Sequence, residues 1–177
     1  RRAALFRDVR SRLGDYLYGV DVSSLEEVVL TRLRQQGLTL SAAESCTGGL
    51  IAKRLTDVAG ASAAFLGGVV SYTNAVKAGV LGVPRDLLEQ YGPVSEPVAR
   101  RLTGSDLSVS VTGLAGPDGD DRGNPVGTVY LGLSLPGETL VRRLALGGDR
   151  PRIRLLAASN ALDMIRRHLC DLPIEQE

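Results

Sequence analysis

Short apolar runs of strand length alternate along this chain with longer segments whose apolar residues recur every three or four positions. Few folds accept that alternation. The runs over 38–44, 65–72 and 106–112 read as strands. Those over 128–135 and 138–146 flank Pro136-Gly137 and read as a hairpin. Between them, helical spacing occupies 25–36, 49–58, 74–81 and 150–170. Pro84 opens a further helix reaching Gln90, and Ser95-Glu96-Pro97 starts another. Ser23 with Glu26, or Ser24 with Glu27, forms a capping pattern ahead of 25–36, and Gly37 stops that helix. Strands separated by helices, with one late hairpin, predict an α/β fold. The form expected is a three-layer α/β/α sandwich on a mixed, mostly parallel sheet.

Leu5, Phe6, Val9, Leu13 and Leu17 share one helical face ahead of the break at Gly19-Val20-Asp21. Residues 1–22 therefore read as a helical connector or arm, and 23–177 as the domain. The chain begins Arg-Arg without Met, which reads as a trimmed or partial sequence. Its 177 residues are 44% apolar, enough for one core. A net charge of +1 and 4% aromatics without Trp argue against direct nucleic-acid binding. No apolar run approaches the ~20 residues of a membrane span. Cys46, Cys170 and the single His168 are too few for a disulfide framework or a zinc cluster. A reducing, cytoplasmic setting without metal or cofactor is expected.

The chemistry concentrates where the first strand meets the next helix, at Ala43-Glu44-Ser45-Cys46-Thr47-Gly48-Gly49. Ligands of open α/β sheets sit beyond the carboxyl ends of strands. Free N–H groups of a helix start and two glycines there suit a phosphate or an oxyanion. Equally, Ser45 or Thr47 serves as a plain helix cap and Cys46 as a small buried residue. A nucleophile needs a base. His168 lies among Arg166, Arg167 and Leu169 and reads as a cation at a helix end, so a Cys46–His168 pair requires that end to fold back. Arginine does not deprotonate, and the only lysines are Lys53 and Lys77. Lys53 sits inside the helix after Gly49 and reads as a surface group. Lys77, in Ser71-Tyr72-Thr73-Asn74-Ala75-Val76-Lys77, follows the second strand by about a turn. It shares an edge with Ser45 if the first two strands are neighbours; otherwise it is a solvated lysine and Tyr72 a rim aromatic.

Two more loops point to the same edge. Thr112-Gly113-Leu114-Ala115-Gly116-Pro117-Asp118-Gly119 follows the third strand and lets backbone approach a ligand, or is ordinary turn chemistry. Gly147-Gly148-Asp149-Arg150 precedes the last helix, with Arg152 and Arg154 behind it. Arginines at a helix start oppose its dipole, which favours a role as a phosphate or carboxylate clamp; Asp149 alone reads as a cap.

These motifs, with "GGVVSYTNAVKAGVLGV", "YGPVSEPVA" and "NPVGTVYLGL" in the same order, resemble the CinA C-terminal domain family from about Leu25 to His168. The resemblance implies hydrolysis of the carboxamide of nicotinamide mononucleotide (NMN) to nicotinate mononucleotide and ammonia, in pyridine-nucleotide salvage. It implies Ser45 as nucleophile, Lys77 as base and Tyr72 as a helper in proton transfer or orientation, without metal. Glu44, Cys46, Thr47, Gly48, Gly49, Asn74, Thr112, Gly113, Ala115, Gly116, Arg150 and Arg154 are the residues expected to bind substrate or support the site. Glu44 is equally readable as a strand-end structural carboxylate. A homodimer is implied too, and an N-terminal CinA domain ahead of the connector in a full-length protein. That half is not in this sequence, and no activity of it is carried over. Against the family pattern, the helix that ends after Arg101 reads as about two or three turns short, or residues are absent from this sequence. Competing readings are a nucleotide-binding module with weak catalysis and a competence- or DNA-damage-associated interaction module.

Overall fold

The computed structural model describes residues 2–86 and 104–174. Helix α1 spans Arg2–Leu13 and is followed by a 3-10 turn over Gly14–Tyr16. Leu5 and Leu13 of this arm stay exposed. The domain then runs α2 (Leu25–Gln36), β1 (Leu40–Glu44), α3 (Leu50–Thr56), β2 (Phe65–Val70), α4 (Asn74–Gly79), β3 (Leu107–Gly113), β4 (Thr128–Ser134), β5 (Thr139–Ala145) and α5 (Arg150–Leu169). A helical turn begins at 85–86. Its continuation to Gln90, the start at Ser95 and the shortened segment after Arg101 lie outside the described residues.

Local chemistry sets the boundaries. Ser24 Oγ accepts the Glu27 N–H at 3.2 Å, and the Glu27 carboxylate turns back to the N–H and hydroxyl of Ser23. A cap of this kind is worth about 1 kcal/mol. Gly37 ends α2 at φ 66°, and the Leu38 N–H returns to the Leu33 carbonyl. Leu38 therefore closes the helix, and the strand expected over 38–44 starts at Leu40.

The sheet order is β2-β1-β3-β4-β5. β1 pairs in parallel with β2 and β3; the β3–β4 and β4–β5 pairs are antiparallel. Only β4 runs against the others, so the sheet is mixed and its strands mostly share one direction. Alternation along each strand divides two faces. Leu40, Ala42, Val109, Val111, Val129, Leu131 and Leu133 form the first face, packed with α2, α3 and α5. Ala157 and Ala161, one turn apart on α5, are fully buried and let that helix sit close to its neighbours. The second face carries small residues: Ser41, Ala43, Ser108, Ser110 and Thr112. Ala43 there packs with Leu81 and Val83, against Val69 and Ala78, which seats α4 on this face.

Candidate active site

Ser45 follows β1, and its N–H donates to the Val111 carbonyl at 2.9 Å. That bond prolongs the β1–β3 pairing by one residue, so Ser45 shares the second face with Ala43. Thr73 starts α4 by accepting the Val76 N–H, and Lys77 lies one turn further on. Because α4 packs on the second face, Lys77 is carried to the serine. Its side chain is buried, 4% exposed, and its Nζ lies 3.4 Å from Ser45 Oγ. Removal from water disfavours the ammonium, so burial holds the Lys77 pKa below the ordinary lysine value.

Glu44 is one residue away but on the other face. Its carboxylate accepts the N–H groups of Ile51 at 3.0 Å and Ala52 at 2.8 Å. Both oxygens are thereby employed at the start of α3, the structural alternative of the two offered for it above. It also corrects the expectation of a Ser45 or Thr47 cap. The residue at the cap position of α3 is Gly49, at φ 91°, which supplies no side chain, and Glu44 takes its place. Gly48, at φ 61°, completes the turn. These two left-handed residues suit glycine.

Arg154 of α5 donates to the carbonyls of Cys46 at 3.0 Å and Thr47 at 2.8 Å. It therefore supports the loop directly. A trans peptide points its N–H opposite to its C=O, so this grip also fixes where the loop N–H groups face. The Gly48 N–H is committed to the Ser45 carbonyl at 3.0 Å, which removes it from the expected oxyanion donors. Cys46 is packed in the core, and burial pushes its thiol up to about 11, against a smaller pull from its own N–H, that of Thr47, and Arg154. Thr47 is fully buried. His168 stands fourteen residues beyond Arg154 on α5, about 21 Å along the helix, so it does not meet Cys46. Lys53 is exposed and ion-paired with Asp57.

At the rim, Arg150 joins two loops. Its Nη2 donates to the Tyr72 hydroxyl and its Nη1 to the Gly116 carbonyl, both at 2.7 Å. Asp149 caps α5 by accepting the Arg152 N–H. Asn74 is exposed on the first turn of α4, and Tyr72 is exposed two residues past the end of β2. Thr112 is buried beside Ser45 on the second face, by continuation of the Glu44–Val111 register. A Cβ on Gly113 would meet the Thr128 carbonyl oxygen at 2.6 Å, so glycine there lets β3 and β4 close. Ala115 is a core residue rather than a lining one.

The sequence reading missed Tyr130 and Arg143. Thr112 pairs with Tyr130, and Tyr130 with Arg143, so all three share the face of Ser45. The Arg143 guanidinium carbon lies 5.9 Å from the Tyr130 ring centroid. The signal was present: a two-residue turn at Pro136-Gly137 fixes the hairpin register and sets residue 130 opposite 143.

The structure is that of a mixed α/β domain with a buried lysine amine beside a serine hydroxyl at a parallel strand end. More narrowly, the chain belongs to the CinA C-terminal domain family, whose family model matches residues 22–169. It is 47% identical over 177 aligned residues to a CinA-like protein of Kosmotoga olearia, covering 96% of this chain and 43% of that protein. A putative competence-damage inducible protein of Thermoanaerobacter is 46% identical, with 94% and 42% covered. The chain thus spans less than half the length of these relatives. Among solved structures it resembles the competence damage-inducible protein A of Klebsiella pneumoniae, with TM-score 0.78 and 30% identity over 84% of this chain and 98% of that one. A competence/damage inducible protein of Agrobacterium tumefaciens gives TM-score 0.76 and 36% identity over 86% and 99%. Among the described residues, no helix is long and apolar enough to cross a membrane, and no cluster of His, Cys, Asp or Glu has metal-binding geometry.

Proposed function

We propose that this domain hydrolyses the carboxamide of nicotinamide mononucleotide, releasing nicotinate mononucleotide and ammonia. The observation that carries this reading is the buried Lys77 amine 3.4 Å from Ser45 Oγ. The substrate class is the one that the resemblance to the CinA C-terminal domain family implies. An amide resists hydrolysis and needs an activated nucleophile and an acid for the leaving amine. Neutral Lys77 takes the Ser45 proton as Oγ bonds to the carboxamide carbon. The tetrahedral intermediate then breaks its C–N bond, and the Lys77 proton leaves with the amine as ammonia. Water attacks the resulting ester, Lys77 accepting one of its protons and returning it to Ser45 Oγ as the nicotinate is released. Tyr72, held by Arg150, stands at the rim to orient the substrate. The test is incubation with the mononucleotide in the presence of a chelator, following ammonia and nicotinate mononucleotide together. Equal release of both, lost in Ser45→Ala, supports the reading. Binding without turnover would leave a nucleotide-holding module in its place.

A further inference from the structure

Pyridine mononucleotide substrates carry a phosphate monoester at the end far from the carboxamide. The site described above leaves it without an obvious holder. Arg154 spends Nε and Nη2 on the carbonyls of Cys46 and Thr47. Arg150 directs one N–H of each terminal nitrogen to Tyr72 and Gly116, which ties it between two rim loops. Arg152, two positions from each along α5, is turned about 200° away from them.

Arg143 differs. Among the described residues its one recorded partner is the Tyr130 ring. A cation–π contact at this distance draws on the charge of the guanidinium and consumes none of its N–H donors, which keep the fork that matches phosphate oxygens.

Position fits as well. Ser45, Thr112, Tyr130 and Arg143 form one row across β1, β3, β4 and β5, on one face. Strands lie ~4.8 Å apart, so a guanidinium leaning back over Tyr130 is about two spacings, ~10 Å, from Ser45. The path from the carboxamide carbon through ring and ribose to phosphorus covers about 10 Å at ~1.5 Å per bond with the usual bends. Thr112 lies beneath the middle of that span.

We infer that Tyr130 and Arg143 form the subsite for the phosphate of the substrate mononucleotide, making Arg143 the residue that separates nucleotide from nucleoside. This rests on the proposed amidase reading, and the experiment keeps the two apart. NMN and nicotinamide riboside are compared as substrates of the wild type, Arg143→Ala and Arg143→Lys. Calorimetric titration with nicotinate mononucleotide and with inorganic phosphate runs alongside. Arg143→Ala should raise KM for NMN about ten- to hundredfold, leave kcat within about twofold, and leave riboside turnover unchanged. Arg143→Lys, keeping the charge without the fork, should fall between, and the defect should shrink as salt rises. If the wild type releases no ammonia, the amidase reading falls. A loss of mononucleotide binding in Arg143→Ala would still uphold the subsite. Equal effects on nucleotide and nucleoside, unchanged mononucleotide binding in Arg143→Ala, or wild type that binds no mononucleotide would overturn it. Arg143 is exposed on β5, so its replacement should not disturb folding; Arg143→Gln serves if Arg143→Ala does.

Discussion

Lys77 and Ser45 meet across the junction of β1 and β2 with Nζ and Oγ 3.4 Å apart, while Glu44, the neighbouring acid, faces the opposite side of the sheet. The lysine is thus buried next to a hydroxyl rather than a carboxylate, which favours its neutral form. Lys77→Ala should lower ammonia release about a hundred- to ten-thousandfold, the range of a positioned general base. Ser45→Ala should lose at least as much. Lys77→Arg is the sharper variant, because it keeps a long nitrogen-bearing side chain but cannot accept a proton. Retained turnover in Lys77→Arg would sink the base assignment.

The same burial gives a pH signature. kcat/KM should rise with pH through a lysine pKa lowered from about 10.4, then level off. Stability should carry the matching slope. Between the lowered folded value and the unfolded one, the unfolded chain binds more protons than the folded chain, so stability from this group rises with pH there and falls as pH drops through the folded value. Urea melts over a pH series that approaches about 10.4 from below should show the wild type gaining on Lys77→Met as pH rises. Parallel changes in both proteins would contradict a depressed Lys77.

Cys46 makes the opposite prediction to its neighbour. With its thiol near 11 and its side chain in the core, it carries almost no thiolate at neutral pH. An alkylating reagent at neutral pH should label Cys170, which is partly exposed, and spare Cys46 until the protein is denatured. Cys46→Ala should keep ammonia release within about tenfold, at a stability cost of roughly 1 kcal/mol for the lost packing. Rapid modification of native Cys46 with loss of activity would reassign the nucleophile.

Much of this arrangement is legible in the sequence because it is local. The caps at Ser24, Gly37 and Asp149 follow from residue type at helix ends. The edge shared by Ser45 and Lys77 follows from one parallel pairing and a short helix. The Tyr130–Arg143 pairing follows from turn length. What is not legible depends on partners far along the chain. Arg150 and Arg154 are visibly on one helical face, yet nothing local says that one grips carbonyls more than a hundred residues earlier while the other grips a tyrosine hydroxyl. The employment of Glu44 is hidden for a similar reason: alternation turns it from Ser45, but only the packing of α3 on the first face supplies the N–H groups it accepts.

Glu44 therefore has a role that can be separated from substrate binding. Its carboxylate is 1% exposed and receives two backbone N–H groups of a seven-residue helix whose cap position is glycine. Hydrogen bonds to a charged group contribute about 1.5–3 kcal/mol each, and a negative charge at a helix start adds about 0.3–1 kcal/mol. Glu44→Gln keeps one acceptor oxygen but turns an amide NH2 toward a donor, so about 2 kcal/mol of stability should go. The urea midpoint should fall with the m value unchanged. Ile51 and Leu55 hold α3 to the core, so the helix should stay in place in the folded variant. KM for the mononucleotide should then match the wild type below the unfolding transition, because neither carboxylate oxygen faces the side of Ser45 and Lys77. A normal urea midpoint with a KM raised tenfold or more would invert the assignment and make Glu44 a ligand for the ring or ribose.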